Sequence, residues 1–268
     1  MDKPHEVTSD VVVLPAHFPI PGMGFLPVNA FVIKAAEPVL VDTGMGIDGE
    51  AFMAALKSVI DPEELRWLWL THDDADHTGN IQKVLEAAPS ARLAANALGT
   101  LRMSTVWQVP MDRCYWLNPG DSINVGDRKL TTIRPPTFDN PTTIGLYDDN
   151  SQAFFSADCF GAITSFQAHD AEEIREDDLS QGMTIWGCAD APWVHMVEPI
   201  KFHQGLNKIR EMDPKIIFSS HLPPARNKTK QFLKLLESLP TSQPFVPPNQ
   251  AALEGTLAQM RGKKTAEN

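Results

Sequence analysis

The sequence predicts a mixed α/β protein in two halves, each β-rich and then helical. Apolar runs of strand length alternate with stretches of helical spacing. Several of those runs end in ligand-type residues, at Asp42, His72, Asp158 and His221. With 268 residues, 43% of them hydrophobic, the chain can bury a full core, as one large domain or a domain with an appendage.

Val11–Leu14 reads as a strand. Pro15–Pro27 carries four prolines, with Gly22 and Gly24 beside Phe18, Met23 and Phe25. It reads as an irregular loop, packed on the core or lying as a flap over a site. Val28–Lys34 and Pro38–Asp42 are two strands joined by a short turn. Thr43-Gly44-Met45-Gly46 leads into an amphipathic helix from about Asp48 to Ile60. Leu65–Leu70 is the next strand-length run, and Ile81, Val84, Leu85 and Ala88 have helical spacing. Ala91–Ala95 reads as a strand, and Asn96–Trp107 as a helix. Pro119-Gly120-Asp121 marks a turn before the strand Leu130–Arg134. Pro135–Pro141 is a rigid loop, and Thr142–Tyr147 with Ala153–Ser156 form a hairpin around Asp148-Asp149-Asn150. Phe166–Gly182 is acidic and partly helical. Pro199–Glu211 is a helix, Lys215–Phe218 a strand, and Asn227–Leu239 a helix. These assignments give a domain over 1–239. Residues 240–268 are a proline-bearing linker, a short helix over Ala251–Arg261, and a fraying polar tail.

The stretch His72-Asp73-Asp74-Ala75-Asp76-His77 sits between a strand and a helix. Two imidazoles and three carboxylates within six residues exceed what a helix cap needs. Such donors suit zinc, iron or manganese. The spacing H-x-D-x-D-H on a turn does not match the helical HExxH zinc motif. Asp42, alone at a strand end beside glycines, reads as a hydrogen-bonding anchor.

Composition narrows the partners. A formal charge of -11 disfavours nucleic acid and anionic membrane surfaces. No apolar run reaches the ~18 residues of a membrane span. Met1–Asp10 lacks a secretory pattern. Cys114, Cys159 and Cys188 are an odd set without a CxxC. Together these point to a cytoplasmic protein without disulfides. Cys159, next to Asp158 on a strand end, faces the other way and is not taken as a nucleophile. His195, between Trp193 and Met196, packs on the core or backs the site. His169 and His203 read as surface or core residues, and His5 and His17 have no assigned partner.

Leu40-Val41-Asp42-Thr43-Gly44, the His72–His77 turn, Asp158 and His221 together resemble the metallo-β-lactamase superfamily, from about Val28 to His221. The resemblance implies an αββα sandwich of two mixed β-sheets with helices outside, and two metal ions at one edge. By position, one metal would take His72, Asp74, a loop residue and bridging Asp158. The other would take Asp76, His77, Asp158 and His221, and Asp76 would also have the catalytic role. The family's first motif usually reads H-x-H-x-D-H, so Asp74 stands where a histidine is usual. Pro141–Tyr147 aligns with the stretch after the family's loop histidine. That puts Asp139 at the histidine's position, with Phe138 and Asn140 one residue away.

Both departures put hard oxygen in place of nitrogen, which favours iron or manganese over zinc. In this the chain looks most similar to the flavodiiron proteins and the oxygen-binding di-iron proteins, which carry a carboxylate at the position of Asp74. Asp158-Cys159-Phe160-Gly161 also looks like theirs. Only 47 residues follow His221, too few for a flavodoxin domain, so no FMN is expected. Three functions stay open. The first, which the carboxylates favour, is di-iron chemistry on O₂, peroxide or NO with an external electron donor. The second is a metallohydrolase of an ester, lactone, thioester or phosphoester. The third is a structural protein. In each active case the partner is a small-molecule ligand or substrate, and a homodimer is left open.

Overall fold

The structure, a computed structural model, describes residues 1–266. One sheet holds seven strands in sequence order: β1 (His5–Glu6), β2 (Val11–Ile20), β3 (Gly24–Ile33), β4 (Val39–Val41), β5 (Trp67–Trp69), β6 (Arg92–Ala95) and β7 (Cys114–Trp116). The second holds six: β8 (Ser122–Asn124), β9 (Lys129–Ile133), β10 (Gly145–Asp148), β11 (Ala153–Phe155), β12 (Ile216–Phe218) and β13 (Ala225–Arg226). The helices are α1 (Gly49–Val59), α2 (Ala75–Thr78), α3 (Ile81–Ala87), α4 (Ala97–Met103), α5 (Glu176–Asp190), α6 (Pro199–Gly205), α7 (Asn207–Met212), α8 (Thr229–Ser238) and α9 (Gln250–Ala266). No described helix is long and apolar enough to cross a membrane.

Strand side chains alternate between faces, so apolar residues at every position bury both sides of a sheet. Val11, Val13, Phe31, Ile33, Val41 and Trp69 pack inward, against Leu130, Leu146, Phe155 and Phe218 of the second sheet. Their neighbours Val12, Leu14, Val32, Leu40 and Leu68 pack outward on Phe52, Leu56, Val84 and Leu85 of α1 and α3. Likewise Tyr147, Phe154 and Ile217 of the second sheet pack outward on Leu179, Met183, Phe202, Phe232 and Leu236. The result is the expected four layers, α-β-β-α.

The loop expected over Pro15–Pro27 is instead the far half of a ten-residue hairpin, β2 pairing with β3 from Val11–Ile33 to Ile20–Gly24. Its prolines do not break the ladder. Pro15, Pro19 and Pro27 share a parity with Phe25 and Asn29, whose N–H groups turn away from β2 to Thr164 O and Ser220 O. They occupy pairs where no cross-strand N–H is needed. The helix in the acidic stretch, α5, runs on past Gly182 through Met183–Cys188 to Asp190, and the C-terminal helix runs past Arg261 to Ala266.

Strand direction positions the site. β4 and β5 pair in parallel, as do β11 and β12. Parallel neighbours end at the same edge, so Asp42, His72, Asp158 and His221 all emerge from one side of the sandwich. There the sheets are pinned together. Asn29 Nδ2 donates to Ser219 O and Leu222 O at 3.1 and 2.8 Å, and Ile144 N donates to Thr71 O at 2.8 Å.

Candidate metal centre

The strand-to-helix turn begins where β5 ends. Thr71 N and Oγ1 both donate to the Asp42 carboxylate at 2.8 Å, which fixes the start of the turn. His72 follows, fully buried, and the short α2 carries His77 inward and Asp76 outward. The turn is held from behind by Thr43, whose N–H and hydroxyl both donate to His77 O, at 2.7 and 2.8 Å. Gly79 is required here: a Cβ on it would meet Gly46 N at 2.1 Å and Gly44 O at 2.5 Å. Asp42 sits at φ 59°, in the left-handed region that Asp and Asn tolerate better than most residues.

Each histidine is oriented through its far nitrogen. His77 Nδ1 donates to Asp42 Oδ2 at 2.8 Å, and His221 Nδ1 to Pro27 O at 2.8 Å. His72 Nδ1 lies 3.1 Å from Thr71 Oγ1. All three Nε2 atoms therefore turn to the same space. Asp158 lies between them and divides its two oxygens. Oδ2 is 3.2 Å from His72 Nε2, while Oδ1 is 3.0 Å from His77 Nε2 and 3.2 Å from His221 Nε2. Asp76 Oδ2 closes the second group, 3.5 Å from His221 Nε2 and 3.7 Å from His77 Nε2. Asp74 Oδ2 is 3.9 Å from His72 Nε2. It is held by Asn140 Nδ2, which donates to its Oδ1 at 3.0 Å, while Arg102 donates to Asn140 Oδ1 at 2.9 Å.

Asp139 joins His72 and Asp74 in one cluster whose donor atoms all lie within 4.8 Å. Phe138 and Asn140 do not. The Phe138 carbonyl accepts from Trp193 Nε1, and Asn140 is occupied with Asp74 and Arg102. A further residue, Asp190, clusters with Asp139 and Asp158 within the same limit. It was not anticipated, because it ends a helix and so lacks the strand-end signature. Trp186, one turn earlier, was also missed as a site residue. Its Nε1 donates to Asp158 O at 3.1 Å, and its ring lies 4.6 Å from that of His221. Cys159 is buried in the outer core, and burial pushes its thiol up to about 12.

The group spacing suits a cation better than hydrogen bonds. His72 Nε2, His77 Nε2 and Asp158 Oδ1 are buried without a hydrogen-bond partner. Donors bound to one ion at about 2.0–2.2 Å stand roughly 3 Å apart when they are neighbours. The separations of 3.0–3.2 Å around Asp158 match that. Charge tells the same story. Burial alone would raise Asp158, but His72, His77 and His221 hold it well below the usual carboxylate range. Burial pushes His77 down, yet Asp158 and then Asp42 push it well above its ordinary value. Burial likewise opposes, and Asp158 overcomes, at His72 and His221, which end up raised. Asp139 is exposed at the rim with its carboxyl turned inward. Partial burial of that carboxyl and the Asp158 charge push it up to about 6. For Asp190, burial and then Asp158 and Asp139 push it up to about 8.

A family model described as ODP family beta lactamase matches residues 26–221. The chain belongs to that family. Its fold is the metallo-β-lactamase-like sandwich. An uncharacterized protein of Methanocaldococcus jannaschii is 26% identical over 196 residues, covering 72% of this chain and 48% of that one. The flavo-diiron protein FprA2 of Clostridium acetobutylicum is 26% identical over 102 residues, covering 38% of this chain and 26% of its own length. Among solved structures, rubredoxin oxygen:oxidoreductase from Desulfovibrio gigas superposes with a TM-score of 0.73 at 17% identity. That match covers 88% of this chain and 61% of the other, and it shows the fold. The chain thus spans about half or less of the length of these two curated relatives.

Proposed function

We propose that this ODP-family chain is a dinuclear iron protein that binds or reduces O₂, or the related oxidants peroxide and NO, with electrons from an external donor. The observation that carries the reading is the division of Asp158, one oxygen toward His72 and the other toward His77 and His221. One ion would be held by His72, Asp74, Asp139 and Asp158, the other by Asp76, His77, Asp158 and His221. The buried, unpartnered atoms of His72, His77 and Asp158 fit such a pair. The oxygen-rich first set supports iron or manganese over zinc. The flavo-diiron protein named above, and the oxygen oxidoreductase that shares the fold, point the same way.

Bound iron supplies one-electron redox chemistry at two adjacent positions. The chain's own residues do the rest. Asp42 and the Pro27 carbonyl fix two histidines as Nε2 donors, so no reorganisation is needed when the site is filled. The Asp74 and Asp76 side chains are 39% and 35% exposed, which leaves a way in for a small oxidant. Phe138, Trp193 and Trp186 border the site with aromatic surface.

The test is turnover. Iron-loaded protein, reduced by dithionite without air, is mixed with O₂ or NO, and oxidant uptake is followed with its visible spectrum. Uptake with a coloured oxidised product supports the reading. Protein that stays colourless with iron, and cleaves an ester or lactone only with zinc, replaces it with a hydrolase.

A further inference from the structure

We propose that Asp190 is a ligand of the metal centre, giving a carboxylate oxygen to the ion that His72 and Asp139 hold. This rests on the dinuclear reading above and adds a donor to it. The sequence pattern supplies none at this position.

Three features of α5 place Asp190. Gly182, Trp186 and Asp190 are four residues apart, so they share one face of the helix. Gly182 allows close approach to the chain that follows Asp158: a Cβ there would meet Ile163 O at 2.3 Å. Trp186 then ties the helix to Asp158 through its indole N–H. One turn on, the carboxylate oxygens of Asp190, Asp139 and Asp158 come within 4.8 Å of one another, close enough for one ion to touch all three.

The ion's other donors include an unpartnered buried atom. His72 Nε2, which clusters with Asp139, has no hydrogen-bond partner, and its side chain is 0% exposed. An ionised Asp190 has little reason to be there without a cation. It is the last residue of a 15-residue helix, where the helix dipole disfavours negative charge. It also faces two other carboxylates, and among the described residues no lysine or arginine forms an ion pair with it. A multivalent cation reverses that local balance.

With Asp190, the first ion would have one imidazole and four carboxylates to draw on, since Asp139 clusters with His72 and Asp74 on one side and with Asp158 and Asp190 on the other. That set is hard and crowded. It suits iron or manganese, which accept more than four donors, over zinc, which favours four. Asp190 therefore acts as a selectivity device as well as a ligand.

The experiment titrates the full chain with Fe(II), Mn(II) or Zn(II) against a competing chelator, in wild type, Asp190→Asn and Asp190→Ala. Wild type takes up two ions. In Asp190→Asn, affinity for the first Fe(II) or Mn(II) falls at least about tenfold, while the second stays within about twofold. Zinc is affected less, so the iron-to-zinc preference drops. Melting without metal separates a ligand from a structural residue. Metal-free Asp190→Asn melts at or above wild type, and only the metal-loaded form melts below it. Wild-type affinities in both variants, equal losses at both ions, or a lower metal-free melting point overturn the proposal and leave the dinuclear reading standing. Wild type that binds fewer than two ions overturns both.

Discussion

Asp42→Asn should remove one ion selectively, through a proton rather than through a lost contact. Asp42 accepts from Thr71 N, Thr71 Oγ1 and His77 Nδ1, all at 2.8 Å. Asn is nearly the same size and tolerates the φ of 59° at this position, so the turn should survive. Asn has only one acceptor oxygen, and Thr71 N claims it. Its amide then faces Thr71 Oγ1, which can rotate to accept, and His77 Nδ1, which must lose its proton to accept. The His77 proton moves to Nε2, the atom 3.0 Å from Asp158 Oδ1 that the second ion requires. Binding metal would force the ring back, setting two N–H groups against each other. Loss of such an orienting partner costs metal affinity about 10- to 100-fold, or roughly 1.4–2.7 kcal/mol. The fold should lose about 1.5–3 kcal/mol, the value of a hydrogen bond to a charged group. Chelator competition reads the first quantity and denaturant unfolding the second. Asp42→Asn protein that holds both ions with wild-type affinity, or loses both equally, would refute the tautomer argument.

Other substitutions test other contacts. Asp139→Ala should weaken the ion at His72 more than the ion at His77; equal occupancy of both by elemental analysis counts against Asp139 as the loop donor. In Gly161→Ala the new methyl would stand 2.5 Å from Trp186 Nε1 and 2.8 Å from His221 Cβ. His221 must then shift, and we expect a destabilisation of about 1–3 kcal/mol with weakened binding at the second ion, read by melting and metal content. Trp186→Phe removes the hydrogen bond to Asp158 O and should cost about 0.5–1.5 kcal/mol, with oxidant uptake slowed. Solution pH should act oppositely on the two forms of the protein. His72, His77 and His221 are raised, and Asp139 and Asp190 titrate near 6 and 8. The unfolded chain releases its Asp protons near pH 4, so the folded metal-free chain binds more protons between there and about pH 8. Its stability should fall as pH rises through that window. Below it the trend reverses, because Asp76 and Asp158 are held low. Metal binding must displace the same protons, so affinity should rise with pH over the same range. Melting curves at several pH values, with and without metal, check both signs.

The legible parts of this protein were those with a local signal. Apolar strand runs that end in Asp42, His72, Asp158 and His221 gave the sandwich edge, because strand direction decides where ligands emerge. Asp42 was readable as an anchor because it ends a strand beside glycines, and the structure gives it three short hydrogen bonds. The Pro15–Pro27 stretch misled because proline counts as a breaker in sequence. Its tolerance depends on which N–H groups face the neighbouring strand, a matter of register that a single strand does not carry. Asp190 and Trp186 were hidden for a similar reason. They reach the site from the outer helical layer, where Gly182 packs closely against Ile163. Asp139 was read as the loop donor with Phe138 and Asn140 left open one residue away, since a loop between prolines has no periodicity to fix its register.

The central claim is a pair of iron ions bridged by Asp158, and an anomalous diffraction map at the iron edge from iron-loaded crystals tests it most directly. The account predicts two peaks about 3.5–4 Å apart, one beside His72 and Asp139, the other beside His77 and His221, with one Asp158 oxygen on each. A single peak, or two peaks that do not share Asp158, would contradict it.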